Sequence, residues 1–120
     1  MGANSSPMKK HMLFLLVLFS FVAGAQLIKT SLTVTVRDET GNTVSMARVV
    51  LFETREAYEK EENPAAQTIT DNKGVAKFKD LKAISYFVLV RKDNKDNAGG
   101  GEQTGKLEPA RFNKVTIIIQ

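Results

Sequence analysis

The stretch that decides the fold is SLTVTVR, residues 31–37, in which polar and apolar side chains alternate. Its leucine and two valines would lie on one side of an extended chain, and its threonines and arginine on the other. A period of two predicts a half-buried β-strand. The residues that follow, DETGN at 38–42, are turn formers, and Gly41 can take the positive φ that a chain reversal requires.

The alternation recurs along the chain and predicts further strands at 44–52, near 67–70, and at 75–78, 84–91 and 113–120. A tight-turn sequence, DNKG at 71–74, separates two of them. Six or seven short strands with turn residues between them favour an all-β sandwich. Residues 54–63 break the period and predict a short helix or an ordered loop. Residues 92–106 lose it altogether and predict a long mobile loop.

The beginning of the chain carries a different pattern. Lys9 and Lys10 precede an apolar run at 12–22, which ends in the small residues Ala-Gly-Ala at 23–25. This arrangement predicts a signal peptide over residues 1–25, with a domain over 26–120 that is secreted or periplasmic. The apolar run is too short to span a membrane, so no span is expected after cleavage. Either Met1 or Met8 would serve as the start.

Composition excludes several classes of function. The chain has no cysteine and no tryptophan, and its single histidine is His11 inside the predicted signal peptide. Thiolate chemistry, histidine acid–base chemistry and the common zinc sites are therefore excluded from the 26–120 domain. The 17 basic and 13 acidic residues are interspersed, which argues against a nucleic-acid partner. We expect a domain that is not an enzyme and has no catalytic residue, cofactor or metal.

The order of strands and turns carries a resemblance to a known group of domains. The residues are Val34-x-Val36-x-Asp38-x-x-Gly41, Ala47-x-Val49-x-Leu51, Thr70-Asp71-x-x-Gly74-x-Ala76-x-Phe78-x-x-Leu81 and Tyr86-x-Val88-x-Val90. They resemble the carboxypeptidase-regulatory-like group of prealbumin-like domains, which overlaps with the collagen-adhesin B-type repeats and the starch-binding-like fold. The resemblance implies a seven-stranded Greek-key sandwich on an exported, often bacterial, protein. Such Ig-like modules are structural, adhesive or ligand-binding.

Two positions depart from the pattern of the group. Ile84 and Ser85 stand where a glycine commonly precedes the tyrosine strand. Adhesin repeats of this kind often carry a lysine on the first strand, which forms an isopeptide bond to an asparagine on the last. Asn113 could supply the amide, but Val36 occupies the lysine position and Lys29 lies too early. We therefore expect no isopeptide bond. Tyr86 is expected to bury its ring while its hydroxyl bonds to backbone at the sandwich edge.

Two groups of polar residues are candidates for a functional site. The glutamates between Glu53 and Glu62 suggest paired carboxylates for acid–base work, but Arg55 and Lys60 lie among them and favour a solvated surface. Asp93, Asn94, Asp96 and Asn97 carry the oxygen ligands that calcium prefers. Lys95 occupies a ligand position among them, so a flexible loop is the better interpretation.

The most informative functional signal is a second apolar parity, meaning apolar residues at the alternate strand positions that face away from the core. A two-layer sandwich buries one face of each strand, yet Val50, Phe52, Phe87, Leu89 and Ile118 fall on the other face. In one interpretation, residues 54–67 fold back and Tyr58 packs on Phe52 or Phe87. In the other, Phe52, Tyr58, Phe87 and Leu89 form an interaction surface for a protein partner, a second copy or an apolar ligand. Phe87 or Tyr58 would then also suit a polysaccharide.

The sequence thus predicts an exported, non-enzymatic β-sandwich module that acts by binding or assembly at the cell envelope or outside the cell. A carbohydrate-binding accessory domain is the alternative. A hydrolase of the transthyretin-related kind is a third hypothesis. It is disfavoured because those enzymes depend on histidines, which the 26–120 domain lacks.

Overall fold

A computed structural model describes residues 29–120, and every structural statement below concerns that part of the chain. It contains seven strands and one helix: β1 (Ser31–Asp38), β2 (Arg48–Phe52), α1 (Arg55–Lys60), β3 (Ala66–Ile69), β4 (Val75–Phe78), β5 (Phe87–Lys92), β6 (Lys95–Asp96) and β7 (Phe112–Ile119). The predicted signal peptide and its cleavage site lie outside the described residues. Within 29–120, no helix combines the length and the apolar character needed to cross a membrane.

The strands form two sheets. One has three strands in the order β4-β1-β7, and the other has four in the order β3-β2-β5-β6. β1 runs antiparallel to β4 and parallel to β7, whereas all pairs in the four-stranded sheet are antiparallel. The two sheets and the short helix confirm the predicted all-β architecture. The Greek-key connectivity remains a prediction.

One core lies between the sheets, and the period of two explains its composition. Each strand turns alternate side chains inward, so the buried residues come from both layers. They include Leu32, Val34 and Val36 of β1, Val49 and Leu51 of β2, Val88 and Val90 of β5, and Ile117 and Ile119 of β7. Tyr86 also lies in this core, and its hydroxyl accepts a hydrogen bond from the Lys82 backbone N–H at 3.0 Å, as predicted.

The DNKG turn forms where the sequence predicts it. The Asp71 carboxylate accepts hydrogen bonds from the N–H groups of Lys73 and Val75, which closes the turn before β4. Gly74 has a φ of +77°, and a Cβ there would lie 2.8 Å from the Cβ of Thr43. Both the backbone conformation and the close approach therefore require glycine at this position.

Several strand limits differ from the prediction. The second strand begins at Arg48 rather than at 44, because the chain turns at Met46, whose φ is +59°. The fifth begins at Phe87 rather than at 84, and the last begins one residue early, at Phe112. The local pattern includes Val44 and Ile84 in the second and fifth strands because both pack partly buried against the core without belonging to the ladder.

The prediction of a mobile loop at 92–106 is wrong. Its first part forms β6, and Asn97 is buried against the edge of β5. Further along, the Val88 N–H donates to the Glu102 carbonyl at 3.0 Å, and the Thr104 N–H donates to the Tyr86 carbonyl at 2.9 Å. The segment is ordered because its backbone pairs with the edge of β5. Hydrophobic periodicity does not indicate such pairing, because backbone groups form it.

Candidate functional site

The four residues predicted as an interaction surface lie together on the outer face of the four-stranded sheet. Phe52 and Phe87 are directly opposite each other on β2 and β5, and Leu89 lies two residues along β5. With Tyr58 they form the outer cluster, which Val50 and Ala57 flank. Their exposed fractions are only 2%, 8%, 5% and 5% for Phe52, Phe87, Leu89 and Tyr58.

The helix α1 covers this outer cluster, and local chemistry explains why it forms there. The Thr54 hydroxyl accepts a hydrogen bond from the Ala57 N–H at 3.1 Å, which is an N-cap. Glu61 ends the helix with a φ of +52°, and its N–H donates back to the last turn. A helix of six residues is not stable alone, so its packing on the sheet through Tyr58 maintains it.

The ring of Tyr58 joins the helix to the sheet. Its centroid lies 6.1 Å from that of Phe52 at an interplanar angle of 80°, and 5.5 Å from that of Phe87 at 31°. Its hydroxyl accepts a hydrogen bond from the Gly101 N–H at 3.1 Å. The guanidinium of Arg55 lies 5.2 Å from the centre of the Phe87 ring, a distance that suits a cation–π contact.

These contacts match the interpretation in which residues 54–67 fold back on the sheet. As an interaction surface, the four residues offer little area to a partner while α1 is in place. Phe87 and Tyr58 are likewise too buried for a sugar ring to stack on them. Ile118, which shares the second parity in the sequence, lies apart from the outer cluster because it belongs to β7 in the other sheet.

The glutamates between 53 and 62 lie on the surface, and four of them pair with a cation. The pairs are Glu53 with Lys82, Glu56 with Lys60, Glu59 with Arg55, and Glu61 with Arg91. The hydrogen bond from Arg91 holds the pKa of the Glu61 carboxyl below its ordinary value. A carboxyl that works as a general acid near neutral pH needs a raised pKa, so this arrangement suits surface ion pairing.

Two of the four candidate calcium ligands, Asp96 and Asn97, form bonds within the protein itself. The Asp96 carboxylate accepts from the Ala98 N–H and lies 3.7 Å from the Arg91 guanidinium. The Asn97 amide oxygen accepts from the Val90 N–H at 2.8 Å, and its NH₂ donates to the Val88 carbonyl at 2.9 Å. Between residues 29 and 120, no three His, Cys, Asp or Glu side chains are grouped as a metal site would require.

Asn113, considered for an isopeptide bond, holds the turn before β7. Its NH₂ group donates to the carbonyls of Ser31, Glu108 and Arg111, and its amide oxygen accepts from the Glu108 N–H at 2.9 Å. Val36 of β1 pairs with Ile117 and faces the core. The amide therefore has a structural role in this fold.

The exposed apolar residues of the described chain lie elsewhere. Phe112 is 88% exposed and Ile118 is 56% exposed, and both belong to β7 at the edge of the three-stranded sheet. Met46 and Ile69 are the other two large apolar side chains that are exposed. The sequence pattern assigns Ile118 to the second apolar parity, and the prediction did not include Phe112. The spacing of six residues between them was the available signal, because equal parity puts both on one face.

Acid is expected to destabilise the protein. Hydrogen bonds from the Thr40 hydroxyl and from turn N–H groups lower the pKa of Asp38 and of Asp71 below the ordinary value of 3.8. A lowered pKa in the folded state adds stability above the ordinary pKa, and this stability is lost as the pH falls through the folded pKa. Thermal unfolding followed by circular dichroism should show a melting temperature that falls between about pH 5 and pH 2.

Asp71→Asn is the matched control for this pH dependence. The amide oxygen of asparagine still accepts the two turn hydrogen bonds but does not titrate in this range. The variant should therefore lose less stability on acidification than the natural protein. An equal loss in both would contradict the assignment to Asp71.

Comparison with known proteins gives similarity at the level of structure. No protein-family model matches the chain, and no curated protein matches it. Among solved structures, it is similar to BcpA, the major pilin subunit of Bacillus cereus, with a TM-score of 0.50, 18% identity and coverage of 77% of this chain and 30% of that one. The D312A form of BcpA matches with a TM-score of 0.50 and 17% identity.

A second pilus protein shows the same degree of likeness. The pilus 2b backbone protein of group B streptococcus matches with a TM-score of 0.50 and 17% identity, over 76% of this chain and 40% of that one. The described domain thus spans less than half the length of these proteins. At this level of identity the likeness shows the fold alone, a two-sheet β-sandwich, which is consistent with the predicted prealbumin-like fold.

Proposed function

We propose that the chain is an exported, non-enzymatic β-sandwich module that acts by binding to, or assembling with, other proteins at the cell envelope or outside the cell. The observation that carries the proposal is the fold that it shares with subunits of pili. Those proteins are a major pilin subunit and a pilus backbone protein, and a module of similar fold suits a comparable structural role.

Three features of the described domain support this role. Asp96 and Asn97 of the candidate calcium loop form bonds within the protein, and four of the glutamates near α1 form surface ion pairs. The outer cluster is covered by α1, so it stabilises the fold. The apolar side chains that remain exposed on β7 are available for contact with another protein. The carboxypeptidase-regulatory-like relationship belongs to the same proposal, because its members include adhesive and structural modules.

Cell fractionation combined with crosslinking tests the proposal. The full chain, with an epitope tag at its C-terminus, would be expressed in a bacterial host, and intact cells would be treated with an amine-reactive crosslinker that does not enter the cytoplasm. We expect the protein outside the cytoplasm, with Gln26 as its first residue by mass spectrometry, and in crosslinked species larger than the monomer.

A cytoplasmic protein that keeps Met1 or Met8 would overturn the export part of the proposal. An exported protein that forms no crosslinked species with itself or with envelope proteins would overturn the assembly part. Replacing Lys9 and Lys10 by glutamate is the control for export, because a signal peptide requires a cationic first segment.

A further inference from the structure

Strand β7 presents an open backbone edge. It is the outermost strand of the three-stranded sheet and pairs with β1 alone. The Ser31 N–H donates to the Arg111 carbonyl at 3.1 Å, so the odd-numbered residues from 111 to 119 turn their backbone groups towards β1. The even-numbered residues Phe112, Lys114, Thr116 and Ile118 therefore turn their N–H and C=O groups away from the sheet.

This open edge has defined ends. Gln120, the next even-numbered residue, exchanges two backbone hydrogen bonds with Asp96 of β6, at 3.1 and 3.2 Å. At the other end the chain leaves the strand direction at Ala110, whose φ is +56°. Between these limits, the backbone hydrogen bonds of the described chain leave the four even-numbered residues without partners on this side. The open edge thus runs from Phe112 to Ile118, and its centre is Val115.

The side chains of the same four residues lie on the exposed face of the sheet. Phe112 and Ile118 are 88% and 56% exposed, and Lys114 and Thr116 between them are exposed as well. Long edge strands with exposed apolar residues readily pair with another strand, and proteins ordinarily shorten or charge such edges. Here the single charge, Lys114, lies beside the centre of the strand.

We propose that β7 pairs antiparallel with β7 of a second copy of this chain about a two-fold axis at Val115, which joins the two three-stranded sheets into one sheet of six strands. This inference rests on the proposed function and specifies its assembly surface. In this register, Phe112 lies opposite Ile118 of the second copy, and Lys114 lies opposite its Thr116. Each of these residues exchanges two hydrogen bonds with its opposite, because all four point their backbone groups to the open edge.

The sequence of β7 favours this register over its neighbours. The two exposed apolar residues meet each other twice, and an aromatic residue opposite a β-branched one is a favourable cross-strand pair. A shift of the axis to Lys114 would place the two lysines directly opposite each other, which is unfavourable. A shift to Thr116 would leave Phe112 without an opposite residue in the open edge. A two-fold axis also closes the assembly at two copies, because each copy uses its one open β7 edge.

The experiment measures self-association of the purified full chain, in the form that the host cell processes, by sedimentation velocity from about 10 μM to 1 mM. Edge pairing over seven residues makes a small interface, so we expect weak, reversible dimers. Hydrogen exchange should show protection of the amides of Phe112, Lys114, Thr116 and Ile118 that increases with protein concentration. A monomer throughout, or protection of these amides that does not depend on concentration, would overturn the proposal.

Three variants test the register. Ile118→Lys should weaken dimerisation by about tenfold or more, because it removes two apolar pairs by symmetry. Its matched control is Ile69→Lys, which makes the same change at an exposed position on β3, 53% exposed, and should leave dimerisation unchanged. Thr116→Glu should strengthen dimerisation by about tenfold, because it creates two Lys–Glu pairs across the axis.

Because Thr116→Glu is expected to gain affinity, loss of folding cannot mimic the result. Weaker association of Thr116→Glu than of the natural protein would overturn the register. Equal effects of Ile118→Lys and Ile69→Lys would overturn the location at β7. Crosslinking to other envelope proteins by a chain that stays monomeric in vitro would overturn this inference while leaving the proposed function in place.

Discussion

Replacing Tyr58 by alanine is expected to lower the free energy of unfolding by about 3–5 kcal/mol, the range for truncating a large buried aromatic side chain. The ring is the main contact between α1 and the four-stranded sheet, and it packs on both Phe52 and Phe87. Without it, a helix of six residues has too few contacts to remain on the sheet. Urea unfolding followed by circular dichroism would measure the loss.

Tyr58→Phe is the matched control for this substitution. It keeps the ring and removes only the hydrogen bond from the Gly101 N–H, so a loss of about 0.5–1.5 kcal/mol is expected. The alanine variant should also bind a dye that detects exposed apolar surface, because Phe52, Phe87 and Leu89 become accessible. A change below about 1 kcal/mol in Tyr58→Ala, with no dye binding, would contradict the role of α1 as the cover of the outer cluster.

Replacing Asn97 by alanine is expected to lower the free energy of unfolding by about 2–4 kcal/mol. The amide bonds to the Val90 N–H and to the Val88 carbonyl, and also donates to the Glu102 carboxylate at 3.2 Å. Val88 and Val90 lie on the buried edge of β5, beyond the two residues of β5 that pair with β6. Truncation leaves a buried donor and a buried acceptor without partners, which costs more than the bonds themselves contribute.

The control for Asn97 lies three residues earlier. Asn94 is exposed, so Asn94→Ala should change the stability by no more than about 0.5 kcal/mol. Hydrogen exchange adds a local measurement, since the Val90 amide should exchange faster in Asn97→Ala than in the natural protein. Equal stability of the two alanine variants would show that the edge of β5 does not depend on this side chain.

Much of the fold follows from patterns that a single strand carries. The alternation in residues 31–37 predicts β1 and its inward side chains, and the DNKG sequence predicts the turn before β4. The second parity in β2 and β5 is equally visible, and it indicated that something covers Phe52 and Phe87. These features are predictable because each depends on the side chains of neighbouring residues in the chain.

The remaining features depend on contacts between distant residues. Asn97 serves as a partner for β5 only because the fold places that strand edge beside it, and nothing in its neighbours in the sequence indicates this. The two interpretations of the outer cluster could not be separated by sequence, because burial of Tyr58 requires α1 to lie on the sheet. The open edge of β7 depends on strand order, which local pattern does not specify.

The parallel pairing of β1 with β7 also has a mechanical consequence. Because the first and last strands run side by side in the same direction, Ser31 and Ile119 lie at opposite ends of the pair. Eight residues at about 3.3 Å each separate them along the strand axis. Tension transmitted through the domain from one side to the other would therefore shear the whole row of hydrogen bonds between these strands at once, rather than opening them one after another.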